Sequence, residues 1–179
     1  DNAYFPSNGV KFHGSYSLNT DNFLEYKDDT PFSIVSGSFE GVVPITNRFS
    51  ILPAVHGRLI FGKNIPFSKM NFMGGDIMER YLPEQLPFAG TTQVELMDNS
   101  LLIGALKLRQ RIGNIHYLTF TGNYALSSHK IKNILREENM FGCAITYGMD
   151  SMFGPLEATL NYTNHSDKVG FYINLGYKF

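Results

Sequence analysis

Apolar and polar residues alternate along most of this chain, most clearly over its last ten residues, Gly170–Phe179. Phe171, Ile173 and Leu175 fall on one side of that segment, and residues of mixed polarity fall on the other. Successive side chains of a β-strand point to opposite faces, so a period of two predicts a strand with one apolar face. A membrane barrel and the edge of a soluble sandwich both give this pattern.

The same alternation predicts about eight strands, with residues 91–97 extending one of them. Pro53 interrupts the third strand and predicts a bulge or a local break, because proline cannot donate to a β-ladder. The polar faces, such as the one carrying Lys107, Arg109 and Arg111, are expected to line a wet lumen. The predicted strands are 10–19, 32–43, 48–61, 101–112, 115–126, 141–149, 155–163 and 168–179.

Residues 62–90 form a long irregular segment between two predicted strands. It contains Gly74-Gly75 and many apolar side chains, including Phe72 and Phe88, which need cover from water. Long loops without regular structure are uncommon unless they are functional or disordered. Because this one is too apolar for disorder, it is predicted to fold inward. Residues 127–140 are predicted to form an exposed loop with a short helix.

Composition narrows the class of protein. The net charge of −1 over 179 residues gives no reason to expect a nucleic-acid partner, and the length suits one domain, 1–179. No stretch reaches the ~18 apolar residues of a membrane helix, whereas barrel strands are short and alternate. With Trp absent, 10 Tyr and 15 Phe would build any interfacial girdle. The first residues, 1–4, are neither basic nor apolar, so no signal peptide is expected there.

The sequence gives no sign of catalytic chemistry. The Gly-x-Ser-x-Gly frame of a hydrolase nucleophile is absent, since Gly14-Ser15 and Gly37-Ser38 both lack it. The five histidines show no metal-ligand spacing. Cys143 shares the phase of Phe141, which favours a buried or lipid-facing thiol. We therefore expect this chain to be no enzyme and to hold no cofactor or metal.

Several local motifs together resemble a known family. A chain that ends inside a strand on an aromatic residue resembles the C-terminal recognition strand of outer-membrane barrels. The order of the other motifs resembles the C-terminal part of the bacterial surface antigen superfamily, most closely its branch fused to patatin-like phospholipases in Bacteroidetes-type bacteria. These motifs are 4–9, Met73-Gly74-Gly75, Gln85–Gly90, Leu106–Arg109, His116–Thr119, Ser151–Leu156 and Gly176–Phe179.

The resemblance implies the second half of a sixteen-stranded antiparallel barrel in the bacterial outer membrane. In that family a long inward loop precedes the last five strands, as 62–90 does here. The family loop carries an Arg-Gly-aromatic tip, and Arg80 is its counterpart, although no Gly follows it. The loop residues implied are Gly74, Gly75, Arg80, Pro87, Phe88 and Gly90; the assembly signal implied is Gly176, Tyr177 and Phe179.

The charged stripe of Lys107, Arg109 and Arg111 is open to two interpretations, one that it anchors the loop and one that it only solvates the lumen. The expected partners are outer-membrane lipid, the barrel assembly machinery, and either the N-terminal half of the same barrel or a partner chain. The leading functional hypothesis is a barrel that anchors or translocates a patatin-like phospholipase. An insertase or secretion pore of the same superfamily, and a soluble β-sandwich binding domain, are the alternatives.

Overall fold

Two β-sheets make up the fold. The computed structural model describes residues 5–20, 31–62, 65–75, 84–91, 94–136, 138–152, 154–166 and 168–176. Its strands are β1 (Gly9–Asn19), β2 (Phe32–Pro44), β3 (Phe49–Phe61), β4 (Asn71–Met73), β5 (Gln85–Leu86), β6 (Glu95–Met97), β7 (Ser100–Ile112), β8 (His116–Ser128), β9 (Glu138–Ser151), β10 (Gly154–Thr163) and β11 (Val169–Leu175).

The main sheet has eight strands in the order β1-β2-β3-β7-β8-β9-β10-β11. Every neighbouring pair is antiparallel, which confirms an all-β antiparallel fold with eight long strands. Within the described residues the sheet is open, with β1 at one edge and β11 at the other. β4, β5 and β6 form a separate small sheet, in the order β5-β4-β6.

The connections differ in length at the two ends of the main sheet. The short connections 45–48, 113–115 and 152–153 lie at one end of the sheet, called here the short-turn end. The opposite, long-loop end carries the connections 20–31, 62–99, 129–137 and 164–168. The predicted alternation of tight turns with long loops is therefore confirmed.

The two faces of the main sheet have different chemistry. One face, the apolar face, exposes large hydrophobic side chains on all eight strands, for example Phe12, Val55 and Phe120. The other, the covered face, carries the small sheet and buries polar side chains such as Arg58, Asn123 and Asn161. On β7 the side chains predicted to lie on opposite faces are found there. Leu102 and Leu106 are exposed on the apolar face, and Arg109 is buried on the covered face.

Pro53 breaks one ladder and leaves the other intact. On the β2 side the register is unchanged between Glu40↔Ala54 and Val43↔Ile51, but the two residue pairs between them are lost. On the β7 side pairing runs through Pro53↔Leu106. The predicted local break is thus confirmed on the β2 side only, because proline lacks a single backbone hydrogen-bond donor. The unchanged register shows that β3 has no bulge at this point.

The expectation that residues 91–97 extend a strand of the main sheet is wrong. Glu95–Met97 pairs with β4 in the small sheet instead. Thr91 ends a turn, with its N–H donating to the carbonyl of Phe88 at 3.4 Å. Three residues of alternation do not specify which distant strand they join, so the local pattern was compatible with either sheet.

The loop predicted over residues 127–140 is shorter than expected. β8 continues through Ser127 and Ser128, and β9 already begins at Glu138. Both serines are buried, and the Ser128 hydroxyl accepts from the N–H of Lys130 at 3.0 Å. The short helix is confirmed as a single 3-10 turn, Ile131–Asn133. Among the described residues, no helix is long and apolar enough to cross a membrane.

Candidate functional site

The candidate site is the contact between the covered face and the segment 65–97, called here the inner segment. Its centre is one hydrophobic cluster to which both sides contribute. Burying these side chains removes apolar area from water, which is the main force that holds the inner segment in place. The cluster consists of Met73, Leu86, Phe88 and Met97 from the inner segment and Leu101, Ile103, Ala125 and Met140 from the main sheet.

Two glycines let the inner segment approach β9 very closely. A Cβ placed on Gly142 would lie 2.7 Å from the Cα of Gly90 and 2.7 Å from the Phe88 ring. A Cβ on Gly90 would likewise meet the Cα of Gly142 at 2.7 Å. Phe88 is fully buried at this point. The backbone of the inner segment therefore rests directly on the backbone of the sheet.

Gly74 and Gly75 shape the inner segment itself. Both have positive φ angles, 150° and 64°, which residues with a Cβ rarely adopt. The turn brings the Gly75 carbonyl to the N–H of Phe88 at 3.0 Å and the Gly75 N–H to the carbonyl of Thr91 at 3.2 Å. The structure thus brings Gly74, Gly75, Phe88 and Gly90 together. Pro87 lies half-buried beside Phe88, and Arg80 lies outside the described residues.

A buried arginine of the main sheet binds the beginning of the inner segment. Arg58 on β3 is 7% exposed, and its Nη1 donates to Oδ1 of Asn71 at 2.6 Å and to the carbonyl of Lys69 at 2.9 Å. Asn71 is fully buried, and its Nδ2 donates to the carbonyl of Asp98 at 2.7 Å. Arg58 and Asn71 therefore connect β3 to the beginning of the inner segment and to Asp98, the residue that directly follows its end.

Arg58 was not predicted from the sequence. The only sign in the sequence was weak, namely a single arginine after Arg48 in the predicted strand 48–61, which is otherwise largely apolar. The family resemblance pointed to Arg80, and the contact made by Arg58 does not test that prediction, because Arg80 lies outside the described residues.

The three charged residues of the predicted stripe on β7 differ in how far they are buried. Lys107 is half-buried on the covered face, and Arg111 is exposed at the short-turn end. Arg109 is buried and donates to the carbonyl of Pro6, while its guanidinium lies 5.8 Å from the centre of the Tyr117 ring. Among the described residues, the contacts found for Arg109 are therefore with Pro6 and Tyr117, and the choice between the two interpretations of the stripe stays open.

The N-terminal segment packs at the short-turn end of the covered face. Phe5 is buried and stacks on Tyr117 with 4.1 Å between ring centres. A Cβ on Gly148 of β9 would lie 3.1 Å from the Phe5 ring, so this glycine provides the space for it. The covered face is thus occupied by the inner segment and, near the short-turn end, by residues 5–6.

Two histidine–carboxylate contacts join the long loops to Glu95 in the inner segment and to Asp98 just after it. Nδ1 of His129 lies 2.9 Å from the Asp98 carboxylate, and Nε2 of His165 lies 3.3 Å from the Glu95 carboxylate. All four side chains are at least partly exposed, so each pair contributes little to stability. The two contacts show that the loops 129–137 and 164–168 lie beside Asp98 and Glu95.

Only the first residue of the predicted assembly signal falls within the described residues. Gly176 directly follows β11, and its N–H donates to the carbonyl of Pro155 at 3.2 Å. Tyr177 and Phe179 lie outside the described residues. The edge strand β11 nevertheless presents Phe171, Ile173 and Leu175 on the apolar face, as its alternation predicts.

Comparison with known proteins assigns the family. No curated protein matches this sequence. A family model described as "OMP85 superfamily" matches residues 1–179, the whole chain. Proteins of this superfamily are outer-membrane barrels that are generally not enzymes, and membership points to an insertase or secretion-pore type of function. The eight-stranded antiparallel sheet agrees with such a barrel, and the chain belongs to the OMP85 superfamily.

Proposed function

We propose that this chain forms part of the wall of an outer-membrane barrel and that its inner segment occupies the lumen of that barrel. One observation carries the proposal: large apolar side chains are exposed on one face of all eight strands, and the buried polar ones lie on the opposite face, which carries the inner segment. A β-sandwich would bury its apolar face against a second sheet. Here the small sheet packs on the opposite face, so the soluble alternative is not supported.

The barrel needs more strands than these eight. The interior of an eight-stranded barrel is only wide enough for its own side chains, whereas here a three-stranded sheet lies on the covered face. β1 and β11 therefore pair with further strands rather than with each other. We propose that these strands come from the N-terminal half of the same barrel, giving sixteen in total, or from a partner chain.

The inner segment would restrict passage through such a barrel. The hydrophobic cluster, the Gly90–Gly142 contact and the Arg58–Asn71 bonds all hold it against the wall. The residues 107, 109 and 111 would line the wall, and Arg80 would lie within the lumen. Movement of the inner segment is then the step that opens the path.

For the transported or anchored cargo, we propose a patatin-like phospholipase carried by the same polypeptide. The support is the set of motifs that resembles the patatin-fused branch, including His116–Thr119 and Gln85–Gly90. Outer-membrane lipid and the barrel assembly machinery are the further partners. Family membership favours the alternative, an insertase or secretion pore, since those are the functions to which the superfamily points.

Replacing Arg58 tests the role of the inner segment. Arg58→Met leaves the buried Oδ1 of Asn71 and the carbonyl of Lys69 without this donor, and losing hydrogen bonds to a charged group costs about 1.5–3 kcal/mol. We expect higher conductance of the purified protein in planar bilayers and faster amide exchange of residues 65–75. Arg48→Met, at an exposed turn residue, is the control. Unchanged conductance and exchange in the Arg58 variant would contradict the proposed gating role.

The cargo is tested separately. The native gene product should contain a Gly-x-Ser-x-Gly hydrolase domain upstream of this barrel, and its ester hydrolysis should survive Arg58→Met. Upstream periplasmic repeats without that hydrolase domain would instead favour the insertase or secretion pore.

A further inference from the structure

The apolar face contains a groove of about 450 Å³ over β1, β2, β3 and β7. Its floor is formed by Gly37 and Gly57, which are directly paired across β2 and β3. Gly14 extends the same row onto β1. Large side chains stand on both sides of this row, because the neighbouring register positions carry Phe12, Val35, Phe39, Val55 and Leu59. The groove is therefore a gap within an otherwise bulky apolar surface.

The loop 129–137 closes the groove at the long-loop end. Ile131 and Ile134 both line the groove. Lys130 and Lys132 flank Ile131, are exposed, and take part in none of the ion pairs found among the described residues. Leu135, the next apolar residue, is 81% exposed. The loop thus presents apolar side chains beside lysines, which is typical of a segment lying at a membrane surface.

We propose that the groove binds one acyl chain of a phosphate-bearing anionic membrane lipid, with the phosphate held by Lys130 and Lys132. The groove is continuous with the apolar face that contacts the bilayer, so an acyl chain reaches it from the membrane without crossing water. A phosphate complements the two lysines in charge, and these lie at the end where a barrel carries its long outer loops. This inference rests on the proposed membrane-facing role of the apolar face.

Lipid retained by the purified protein provides the test. The protein is extracted in mild detergent, supplied with equal amounts of phosphatidylglycerol and phosphatidylcholine, and analysed by native mass spectrometry. The unmodified protein should retain phosphatidylglycerol preferentially. Lys130→Gln and Lys132→Gln should each weaken that retention about fivefold, as expected for one lysine near an anionic lipid surface. Lys168→Gln, a lysine beside another long-loop-end turn, should have no effect.

Filling the groove tests the acyl-chain site. A Cβ on Gly37 would have its nearest atom, the carbonyl oxygen of His13, at 3.8 Å, so Gly37→Leu places its side chain in the groove without displacing the backbone. Most of the retained phosphatidylglycerol should be lost. Gly122→Leu is the matched control, since a Cβ there meets nothing within 4 Å and Gly122 does not line the groove.

The outcomes separate the two proposals. Equal retention of both lipids by the unmodified protein, or unchanged retention in the Gly37→Leu and lysine variants, would overturn the lipid site while leaving the barrel intact. Failure of the unmodified protein to partition into membranes would overturn the barrel proposal, and the lipid site with it.

Discussion

Gly142 is the residue at which the wall and the inner segment touch most closely. Its Cα faces that of Gly90, and the Phe88 ring fills the remaining space. Glycine is required here for close approach rather than for a special backbone angle. The sequence identified Gly90 through a family motif, but it gave no sign that Gly142, one residue in a regular strand, is its partner.

Gly142→Ala should therefore loosen the inner segment. The new Cβ would lie 2.7 Å from the Gly90 Cα, a backbone atom that can move only with the whole segment. Overpacking of this kind costs about 1–3 kcal/mol. We expect a lower midpoint of urea unfolding and increased protease cleavage within residues 62–90. Gly122→Ala, on the apolar face with open space around it, is the control; equal stability of the two variants would show that the close contact is unimportant.

The strand is the element whose properties follow most directly from the local pattern. β8 alternates Leu118, Phe120 and Tyr124 on the apolar face with Tyr117, Thr121 and Asn123 on the covered face. All seven predicted strands between residues 10 and 163 are present, and their ends differ from the predicted ones by at most three residues. The small sheet was not predicted, because strands of two or three residues have no detectable period.

Phe120→Arg tests whether the apolar face contacts lipid. Phe120 is 48% exposed and lies near the middle of β8. An arginine near the bilayer midplane costs about 2–4 kcal/mol in a barrel. We therefore expect the free energy of unfolding from lipid bilayers to fall by about 2–4 kcal/mol. Denaturant titrations of the protein in lipid vesicles measure this change.

Phe120→Leu keeps the position apolar and should refold normally. If Phe120→Arg were as stable in vesicles as Phe120→Leu, this face of β8 would not be in contact with lipid.

At the scale of the whole molecule, the main sheet has two edges that the described residues leave open. An exposed edge is a row of unpaired backbone groups, and a membrane barrel must pair all of them. β1 is exposed on both faces over ten of its eleven residues, consistent with a strand whose neighbours belong to another part of the assembly.

A cysteine pair distinguishes self-closure from a larger barrel. With Cys143 replaced by Ala, Ser15→Cys on β1 and Tyr172→Cys on β11 should form no intramolecular disulfide, because a sixteen-stranded barrel keeps these edges apart. Mild oxidation followed by mass spectrometry of the peptides is the measurement. Ser15→Cys with Ser36→Cys on the neighbouring β2 is the positive control, since the two hydroxyls are 2.7 Å apart. A disulfide joining β1 to β11 would show that the eight strands close on themselves.

The strands, their two faces and the unequal lengths of the connections could all be predicted from the order of residues along the chain. These are local properties, set by side chains that alternate over ten or more residues and by turn residues between them. The resemblance of short motifs also indicated the right superfamily, because those motifs can be recognised without knowing their contacts.

Where the inner segment packs, and which contacts hold it, became visible only in the folded chain. Arg58 binds Asn71, Phe88 and Gly90 rest on Gly142, and Arg109 binds the carbonyl of Pro6, more than one hundred residues away. Each of these contacts joins residues far apart in the sequence, and no local pattern of apolar and polar residues links them. An arginine can donate to many acceptors, and a glycine can lie against many backbones. Which partner each one contacts depends on how the sheet and the inner segment pack together.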